Sequence, residues 1–409
     1  MRFFYTLGIC LYYIVIYCIS PFHPKAKLWI NGRKKLFPAL KSACQDKKMV
    51  WVHCASLGEY EQGRPLIEKI KREQPELSVL CTFFSPSGYE IKKKDTLLDL
   101  VFYLPVDTIH NSKKFIEIVR PQAAIFIKYE YWYNYMNQLH QFNIPFYYVS
   151  AIYRKDQPFF RWYGRWFRNQ LAKCTYIYLQ NQASKELLHS IGIDKTEVIG
   201  DTRFDRVYQT SLEPISLDFV AHFKANKKAI VCGSTWPEDE QILCEAISSF
   251  KQKFKWIIAP HLIDKEHIGK IKSKFSSYKT ICYSEIQSQN LAEYDICIID
   301  TIGLLRKLYY FGEYAFIGGA FKTGLHNIIE AAVFGVPVFF GPHYKKFNEA
   351  NELVALETAF PIENAKQFVQ KINDLEFDQE KYFLIREKTK KYIVNNLGAV
   401  NKIKIDISS

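Results

Sequence analysis

The sequence lacks the features that mark metalloproteins, repeat proteins and disordered chains. None of its ten cysteines forms a C-x-x-C pair, and cysteine and histidine are not clustered as a zinc site requires. Internal repeats, low-complexity segments and long linkers are also absent. We therefore expect neither a metal ion nor a cofactor. Several cysteines lie within apolar runs, such as Cys232 and Cys297, which favours reduced, buried thiols in a reducing compartment.

The composition is that of a globular protein with enough apolar material for two cores. The 409 residues are 48% hydrophobic and 24% charged, which suits two domains of ordinary size. The formal net charge is +13. Such a charge favours anionic partners, which include phosphates, nucleic acid, acidic sugars and membrane surfaces, but it does not choose among them.

The first 24 residues predict a membrane anchor. The 20 residues from Phe3 to Phe22 carry no charged side chain, which is the length that crosses a bilayer core as a helix. Lysine and arginine follow at positions 25, 27, 33, 34 and 35, so the positive-inside bias places the rest of the chain in the cytoplasm. A cleaved signal peptide and a helix lying in the membrane interface are the alternatives, although no A-x-A-like cleavage site follows.

Two series of short apolar runs alternate with amphipathic segments and predict two doubly wound α/β domains. Apolar strands bounded by helices indicate parallel sheets that are covered on both faces. The pattern breaks near Glu213-Pro214, so we place the domains at residues 25–210 and 211–409, the second with a helical tail. The predicted strands are Val50–Cys54, Ser78–Thr82, Val101–Leu104, Ala124–Ile127, Phe146–Val149, Tyr176–Leu179, Ala229–Cys232, Trp256–Ala259, Thr280–Cys282, Ile296–Ile299, Ala315–Ile317 and Val338–Phe340.

A carboxylate follows the first predicted strand. The run from Trp51 to Glu59 ends a strand in small residues, turns at Gly58 and begins a helix near Glu59. Ligands of parallel sheets bind beyond the carboxyl ends of the strands, so Glu59 lies where a general base could meet an acceptor hydroxyl. Alternatively, Glu59 only complements the helix macrodipole, which would weaken it as a base unless desolvation opposes the effect.

Glu130 and Arg203 are two further candidate site residues, one at the end of a predicted strand and the other at the predicted domain junction. Glu130 comes just after a predicted strand, where it is either a reacting group or another first-turn glutamate. Arg203 lies in Gly200–Asp205 at the domain junction and can neutralise negative charge that develops on a leaving group. A salt bridge between the domains explains Arg203 equally well.

The segment Gly318–Glu330 carries the strongest functional pattern. Its glycines let the backbone approach a ligand closely, and the helix that follows offers free N–H groups to a phosphate. Glu330 lies one turn into that helix and can accept hydrogen bonds from ribose hydroxyls. We therefore favour nucleotide binding over a plain turn. Three other segments follow strands of the same series and can line the same cleft: Gly233-Ser234-Thr235, Pro260-His261 and Asp300-Thr301-Ile302-Gly303.

The segment from Tyr153 to Arg168 interleaves aromatic and basic side chains. This pattern suits anionic lipid headgroups and acyl chains, and it would also suit single-stranded nucleic acid. The alternative is a core helix with a charged outer face. Because the basic residues are spread among aromatics of the lipid-binding type, we expect a membrane partner and no nucleic acid.

Together these motifs resemble those of the 3-deoxy-manno-octulosonic acid (Kdo) transferases of lipopolysaccharide assembly. The resemblance spans almost the whole chain, including the N-terminal segment. The motifs that carry it are Ala55-Ser56-Leu57-Gly58-Glu59, Glu130-Tyr131-Trp132, Gly200-Asp201-Thr202-Arg203-Phe204-Asp205, Gly233-Ser234-Thr235, Asp300-Thr301-Ile302-Gly303, His326-Asn327-Ile328-Ile329-Glu330 and Gly341-Pro342-His343.

The resemblance implies a GT-B fold, in which two Rossmann-like domains face each other across a central cleft, on the cytoplasmic face of the inner membrane. It implies an inverting glycosyltransferase that moves Kdo from CMP-Kdo to the lipid A precursor lipid IVA. By the same resemblance, Glu59 is the proton acceptor, and Glu130 and Arg203 stabilise the transition state. The CMP contacts that it implies are Pro260, His261, Ile302, Gly303, Leu304, Asn327, Ile328, Ile329 and Glu330.

Four positions depart from the family pattern. Many relatives carry lysine in place of Arg203, which keeps the charge but changes its geometry. Arginine is common in place of His261, and an acidic residue is common in place of Leu304 and of Lys128. Two other functions remain as alternatives: a nucleotide-sugar epimerase of the same fold, and a non-catalytic lipid-binding membrane protein.

Overall fold

The computed structural model describes residues 1–250, 253–322 and 324–407, and they form two compact units. The first unit comprises Met1–Arg206 together with the segment from Asn396 onward, and the second comprises Val207–Asn395. Each unit is built on a seven-stranded sheet whose strands all pair in parallel. The prediction of two parallel-sheet α/β domains is therefore confirmed.

The first sheet reverses its strand order between its first and fourth strands. These two strands lie side by side at the centre, so their carboxyl ends flank the topological switch point where ligands of such sheets bind. The strands, in the spatial order β3-β2-β1-β4-β5-β6-β7, are β1 (Met49–Cys54), β2 (Ser78–Phe83), β3 (Leu100–Tyr103), β4 (Ala123–Ile127), β5 (Phe146–Ala151), β6 (Tyr176–Leu179) and β7 (Thr196–Val198).

Helices cover both faces of this sheet, which explains why its central strands are apolar throughout. Val50 and Val52 pack in one core and Trp51 packs in the other, because successive side chains of a strand point to opposite faces. The helices of the first unit are α1 (Arg2–Ile19), α2 (Pro24–Asn31), α3 (Leu36–Cys44), α4 (Leu57–Glu73), α5 (Pro86–Lys92), α6 (Ile109–Val119), α7 (Tyr133–Gln141), α8 (Arg165–Leu171), α9 (Gln182–His189) and α10 (Thr202–Leu212), the last of which continues past the unit boundary.

The second sheet repeats the same reversal, and its switch point lies between its first and fifth strands in the chain. The strands, in the spatial order β10-β11-β9-β8-β12-β13-β14, are β8 (Lys228–Thr235), β9 (Phe254–Pro260), β10 (Thr280–Cys282), β11 (Ile296–Ile298), β12 (Tyr314–Ile317), β13 (Val338–Phe340) and β14 (Ala359–Pro361). The helices are α11 (Asp218–Lys224), α12 (Pro237–Ser249), α13 (Lys265–Lys274), α14 (Leu305–Leu308), α15 (Ile329–Ala332), α16 (Asn348–Ala355), α17 (Ala365–Phe377) and α18 (Gln379–Asn395).

The C-terminal segment packs on the first unit. The sequence placed a boundary at residue 210 and assigned all of 211–409 to the second domain, whereas the compact units divide at Arg206 and again at Asn396. The segment contains the short helix α19 (Ala399–Lys402). Ala399 and Ile403 are buried among the apolar residues on one face of the first sheet. This apolar burial stabilises the C-terminal segment on the first unit, after the chain has left the second unit.

Helix α1 lies along the first unit and leaves its outer side exposed. Tyr5 donates a hydrogen bond to Asp107 at 2.6 Å, and Ile9 and Ile16 pack against a small cluster around Trp29. Leu7 and Leu11 are exposed. Among the described residues, α1 alone is long and apolar enough to cross a membrane by length and composition, with a mean hydropathy of 1.6. The membrane anchor itself remains a prediction.

The aromatic and basic segment divides between core and surface. Phe159 is buried, and Trp166 and Phe167 pack against the same core. Trp162 is 92% exposed and Tyr163 is also exposed. Both interpretations of this segment therefore find support in part of it, because its aromatic side chains contribute to the core at one end and remain on the surface in the middle.

Candidate active site

Two glutamates lie at the switch point of the first sheet, beyond the carboxyl ends of its strands. After β1 the chain passes Ala55 and Ser56 and enters α4, whose first turn contains Glu59. After β4 the chain turns at Lys128, which has a left-handed φ of 62°, and Glu130 follows before α7 begins. Because β1 and β4 are neighbours, Glu59 and Glu130 come to the same edge of the sheet.

The Glu59 carboxylate turns back onto the loop that precedes its own helix. It accepts hydrogen bonds from the main-chain N–H groups of Ala55 and Ser56. Burial, and then the neighbouring Glu130 carboxylate, raise the pKa of Glu59 to about 8, although the two N–H groups and Lys128 act in the opposite direction. The desolvation that a basic Glu59 needs is therefore present, and a group with this pKa can exchange a proton near neutral pH.

Glu130 is held by an indole and an imidazole. Trp132 Nε1 donates to Glu130 Oε2 at 2.8 Å, and His53 Nε2 lies 3.3 Å from the same oxygen. His53 is fully buried on β1. Sequence reasoning did not assign a role to His53, although a histidine inside an otherwise apolar strand was a visible signal.

Arg203 forms an ion pair within the first unit. It lies in the first turn of α10, and its Nε and Nη2 atoms lie 2.8 and 2.7 Å from Asp201 Oδ2. Burial alone would raise the pKa of Asp201, but the charge and hydrogen bonds of Arg203 hold it below its usual range. The positive charge of Lys128 acts to lower the pKa of Asp201 and opposes the rise in the pKa of Glu59, because it favours the ionised form of both carboxyls.

The Gly-rich segment of the second unit follows β12 at the switch point of its sheet. Gly318 passes so close to the main chain at the end of β8 that a Cβ atom there would collide with the Ser234 carbonyl oxygen. Gly319 has a φ of 94°, and a Cβ atom on it would collide with the Gly324 carbonyl oxygen. Both positions therefore require glycine, and they bring the backbone of two adjacent strand ends together.

Asp239 ties this segment to the start of α12. Its Oδ2 atom accepts hydrogen bonds from the main-chain N–H groups of Trp236 at 2.9 Å and of Gly319 at 2.8 Å. Asp239 is fully buried, and burial raises its pKa to about 6. Asp239 could not be selected by sequence reasoning, because its second partner, Gly319, lies 80 positions further along the chain.

His261 lies in a stack of three rings at the same edge of the second sheet. Its ring centroid is 4.6 Å from that of Trp236 and 4.7 Å from that of His326. Trp236 Nε1 donates to His326 Nε2 at 3.0 Å, so His326 carries its proton on Nδ1 when neutral. Burial and the proximity of His261 lower the pKa of His326 to about 4, which keeps it neutral at physiological pH.

The other predicted nucleotide contacts follow three strands of this sheet, β9, β11 and β12. Pro260 ends β9, the segment 302–304 follows β11, and the segment 327–330 follows β12. Glu330 accepts hydrogen bonds from Arg306 Nε at 3.2 Å and Asn327 Nδ2 at 3.1 Å. The side chains of Ile328 and Ile329 are fully buried, so only their main-chain atoms are available to a ligand. Their prediction as CMP contacts can therefore apply to main-chain groups alone.

Most of the chain is similar in sequence to proteins of known family. Residues 31–206 match the family model described as 3-Deoxy-D-manno-octulosonic-acid transferase (kdotransferase). The chain is 28% identical over 364 residues to the 3-deoxy-D-manno-octulosonic acid transferase of Aquifex aeolicus, and the match covers 87% of this chain and 94% of that protein. It is also 28% identical over 396 residues to the protein of the same name from Rickettsia bellii, with coverage of 92% and 90%.

Solved structures of low sequence identity share the fold. The UDP-GlcNAc 2-epimerase of Neisseria meningitidis, solved with bound UDP-GlcNAc, superposes with a TM-score of 0.59 at 16% identity and covers 86% of this chain and 99% of that one. A putative UDP-N-acetylglucosamine 2-epimerase from Listeria monocytogenes gives a TM-score of 0.58 at 14% identity, covering 87% and 94%. The expected fold class of two Rossmann-like domains of the GT-B type is thereby confirmed.

Proposed function

We propose that this chain is a 3-deoxy-D-manno-octulosonic acid (Kdo) transferase, like the relatives that it resembles, and that it transfers Kdo from CMP-Kdo to the lipid A precursor lipid IVA during lipopolysaccharide biosynthesis. The reaction is an inverting displacement. An acceptor hydroxyl oxygen bonds to Kdo C2 while the bond from C2 to the phosphate oxygen breaks, and the electron pair leaves with CMP. Glu59 takes the proton from the attacking hydroxyl.

The environment of Glu59 is the observation that carries this proposal. A general base works best when its pKa lies near the operating pH, and burial beside Glu130 raises the pKa of Glu59 to about 8. The main-chain N–H groups of Ala55 and Ser56 hold the carboxylate in one orientation. A surface glutamate that only complements a helix dipole would have its pKa moved in the opposite direction.

Glu130 and Arg203 supply charge of both signs at the same sheet edge. In a displacement at a sugar carbon, the centre becomes positively charged while the leaving phosphate gains negative charge. A carboxylate stabilises the first and a guanidinium stabilises the second. Glu130 and Arg203 are therefore proposed as the transition-state stabilisers, with Asp201 orienting the guanidinium.

The second unit supplies the proposed CMP site. Glu330 presents a carboxylate to ribose hydroxyls, and the free N–H groups at the start of α15 suit a phosphate. Ile302 is apolar yet 78% exposed, which suits contact with a base. The proposed contacts at this sheet edge are Pro260, His261, Ile302, Gly303, Leu304, Asn327, Ile328, Ile329 and Glu330.

The proposed location is the cytoplasmic face of the inner membrane, with α1 as a single-pass or monotopic anchor. The exposed apolar side of α1 and the exposed Trp162 support it, because such surfaces bury themselves in lipid. The double variant Leu7→Asp with Leu11→Asp should shift the full-length chain from sedimenting vesicles to the supernatant. Leu384→Asp with Val394→Asp, both exposed on α18, is the matched control and should sediment like wild type.

The decisive experiment incubates the full-length chain with CMP-Kdo, with and without a tetra-acylated disaccharide acceptor, and weighs the products by mass spectrometry. Transfer should require the acceptor, whereas an epimerase would act on a soluble nucleotide sugar alone. Glu59→Gln should retain CMP binding and lose transfer. Glu68→Gln, on the same helix and paired with Arg64, is the matched control and should transfer normally. Substantial turnover by Glu59→Gln would refute the base assignment.

A further inference from the structure

His326 has no assigned role, although it directly precedes the predicted nucleotide contact Asn327. It follows the Gly-rich segment after β12, and its main-chain N–H donates to the Gly318 carbonyl oxygen at 3.3 Å. Its ring packs so close to Gly319 that a Cβ atom on that glycine would lie 2.9 Å from His326 Cδ2. His326 therefore lies against the Gly-rich segment at the carboxyl edge of the second sheet, where ligands of parallel sheets bind.

Trp236 fixes the tautomer of His326. An indole N–H can only donate a hydrogen bond, and Trp236 Nε1 lies 3.0 Å from His326 Nε2, so Nε2 is the unprotonated nitrogen of the neutral ring. The proton is then on Nδ1. Burial, and then the proximity of His261, lower the pKa of His326 to about 4, so the ring is neutral at physiological pH. His326 is therefore a neutral side chain whose donor is the Nδ1–H group.

The Nδ1–H group of His326 is left for a ligand. Within the residues that the structure describes, the only side-chain hydrogen bond of His326 is the one from Trp236, which uses Nε2. The His261 ring is stacked on the imidazole at 27°, with 4.7 Å between the centroids, so it covers a face of the ring, whereas the N–H bond lies in the ring plane. The side chain is half-buried. A ligand at this sheet edge can therefore accept the Nδ1–H hydrogen bond.

Asn327, the next residue, carries an unpaired acceptor. Its Nδ2 group donates to Glu330 Oε1 at 3.1 Å, whereas its Oδ1 atom is buried and accepts no hydrogen bond within the described residues. A buried carbonyl oxygen without a donor costs free energy, so this atom is a candidate for contact with a ligand. The donor on His326 and the acceptor on Asn327 together suit a ligand that offers both an anionic oxygen and hydroxyl or amino groups, as a nucleotide does.

The main-chain N–H groups of the Gly-rich segment are largely occupied within the second unit. The Gly319 N–H donates to Asp239 Oδ2 at 2.8 Å, and the Gly324 N–H donates to the Gly319 carbonyl oxygen at 2.8 Å. The Gly318 N–H donates to a carbonyl oxygen of β8 at 2.9 Å. In a loop that cradles a phosphate, such groups point at the ligand instead. A phosphate at this segment therefore needs side-chain donors, and the Nδ1–H of His326 is one.

We propose that His326 binds the nucleotide donor: its Nδ1–H donates a hydrogen bond to a phosphate oxygen of CMP, and Trp236 is a positioning residue that holds the proton on Nδ1. This inference rests on the proposed function, because it refines the site proposed for CMP. A hydrogen bond to an anionic oxygen is stronger than one between neutral groups. Without Trp236, the neutral ring could carry its proton on either nitrogen, and the donor would no longer be fixed.

The test compares two variants that each keep one half of the imidazole. Asparagine attaches its amide nitrogen to Cγ, as histidine attaches Nδ1, so His326→Asn keeps a donor in that place and loses the contact with Trp236. Glutamine places its amide near Nε2, so His326→Gln keeps the contact with Trp236 and loses the donor. Titration calorimetry of the full-length chain should show CMP affinity reduced about tenfold to a hundredfold in His326→Gln, and reduced less in His326→Asn. The opposite order would overturn the proposal.

Cytidine separates contact with the phosphate from general damage to the site. Because cytidine lacks the phosphate, His326→Gln should bind it as wild type does. His222→Gln, which changes an exposed histidine on α11, is the matched control and should bind both ligands normally. If His326→Gln loses affinity for CMP and for cytidine by the same factor, His326 only supports the Gly-rich segment and the proposal is wrong.

Nitrogen NMR of the full-length chain labelled with 15N-histidine reads the tautomer directly, because protonated and unprotonated ring nitrogens resonate far apart. The His326 signals, assigned by their loss in His326→Gln, should show the proton on Nδ1, and added CMP should shift the Nδ1 signal. Trp236→Phe should let part of the protein carry the proton on Nε2 and should weaken CMP binding less than His326→Gln does. A proton on Nε2 in wild type would overturn the inference.

The two proposals fail in different ways. If wild type binds CMP and its His326 Nδ1 signal does not move, the role of His326 is refuted and the proposed transferase function is untouched. If wild type binds neither CMP nor cytidine, the proposed donor site is refuted together with the role of His326.

Discussion

Asp205 Oδ1 lies 2.6 Å from the main-chain nitrogen of Gly398, and the other carboxylate oxygen lies 2.9 Å from that of Val400. One side chain of α10 therefore accepts hydrogen bonds from two main-chain N–H groups at the start of α19. Lys69 of α4 donates to the carbonyl oxygens of Val400 at 3.2 Å and Ile403 at 3.0 Å. These contacts explain why the chain, after leaving the second unit, ends on the first.

Asp205→Ala should loosen the C-terminal segment. The substitution leaves two main-chain N–H groups without their acceptor, and we expect the free energy of unfolding to fall by about 2 kcal/mol. The measurement is thermal unfolding together with limited proteolysis, which should release the C-terminal residues faster than in wild type. Asp264→Ala removes a similar helix cap from α13 in the second unit and is the control. Equal proteolysis of the C-terminal segment in both variants would contradict the role of Asp205.

Glu59→Gln should stabilise the protein most at high pH. Since burial raises the pKa of Glu59 in the folded chain to about 8 from an ordinary value of 4.5, the folded chain binds this proton more tightly than the unfolded chain. The stability that the proton provides is complete below the ordinary value and is lost as pH rises through the folded value. Glutamine does not titrate, so its variant avoids the loss.

The check is the unfolding temperature of wild type and Glu59→Gln at about pH 5 and about pH 9. The unfolding temperature of Glu59→Gln should exceed that of wild type by a larger amount at the higher pH. Glu68→Gln on the same helix should show no such growth with pH. A difference that is the same at both pH values would mean that Glu59 ionises normally in the folded chain.

The fold could be predicted from the sequence because its central strands have a strong local pattern. β1, β4 and β8 are runs of apolar residues bounded by helices, and the predicted segments match them to within three residues at each end. The short edge strands β7 and β14 were missed. They have only three residues each and include Glu197 and Pro361, so neither shows a continuous apolar run.

Sequence reasoning predicted only those site residues that neighbouring residues in the chain identify. Glu59 and Glu130 could be found because each follows an apolar strand and precedes a helix. His53 and Asp239 were missed because their partners, Glu130 and Gly319, come from distant parts of the chain. The return of the C-terminal segment was missed for the same reason, since it depends on Asp205 contacting Gly398.

Arg203→Lys should retain part of the proposed transfer activity, and Arg203→Met should retain little. Lysine keeps the charge but cannot reproduce the two contacts that Arg203 makes with Asp201 Oδ2. We expect kcat to fall roughly tenfold for lysine and at least about a hundredfold for methionine. If Arg203 acts in the transition state, kcat and kcat/KM should fall by the same factor.

Arg206→Lys is the matched control for Arg203, because Arg206 lies on the same helix and pairs with Glu61 at 3.3 Å. It should affect stability without changing kcat. An Arg203→Met variant that transfers as fast as wild type would show that the guanidinium only supports the fold.

Gly319→Ala should weaken binding of cytidine monophosphate. The left-handed backbone at Gly319 costs an alanine about 1–2 kcal/mol, and the new Cβ atom would also collide with the Gly324 carbonyl oxygen. The Gly-rich segment must then move, which also breaks the hydrogen bond from Gly319 N–H to Asp239. Titration calorimetry should show affinity reduced by at least about tenfold, which corresponds to about 1.4 kcal/mol.

Gly192→Ala separates backbone strain from damage to the site. Gly192 also has a left-handed φ, of 77°, but a Cβ atom there would meet nothing within 4 Å. It lies between α9 and β7 in the first unit, so its alanine variant should lose stability by about 1 kcal/mol and bind cytidine monophosphate as wild type does. If both variants bind the nucleotide equally well, the Gly-rich segment after β12 does not form the nucleotide site, and the donor site must lie elsewhere in the chain.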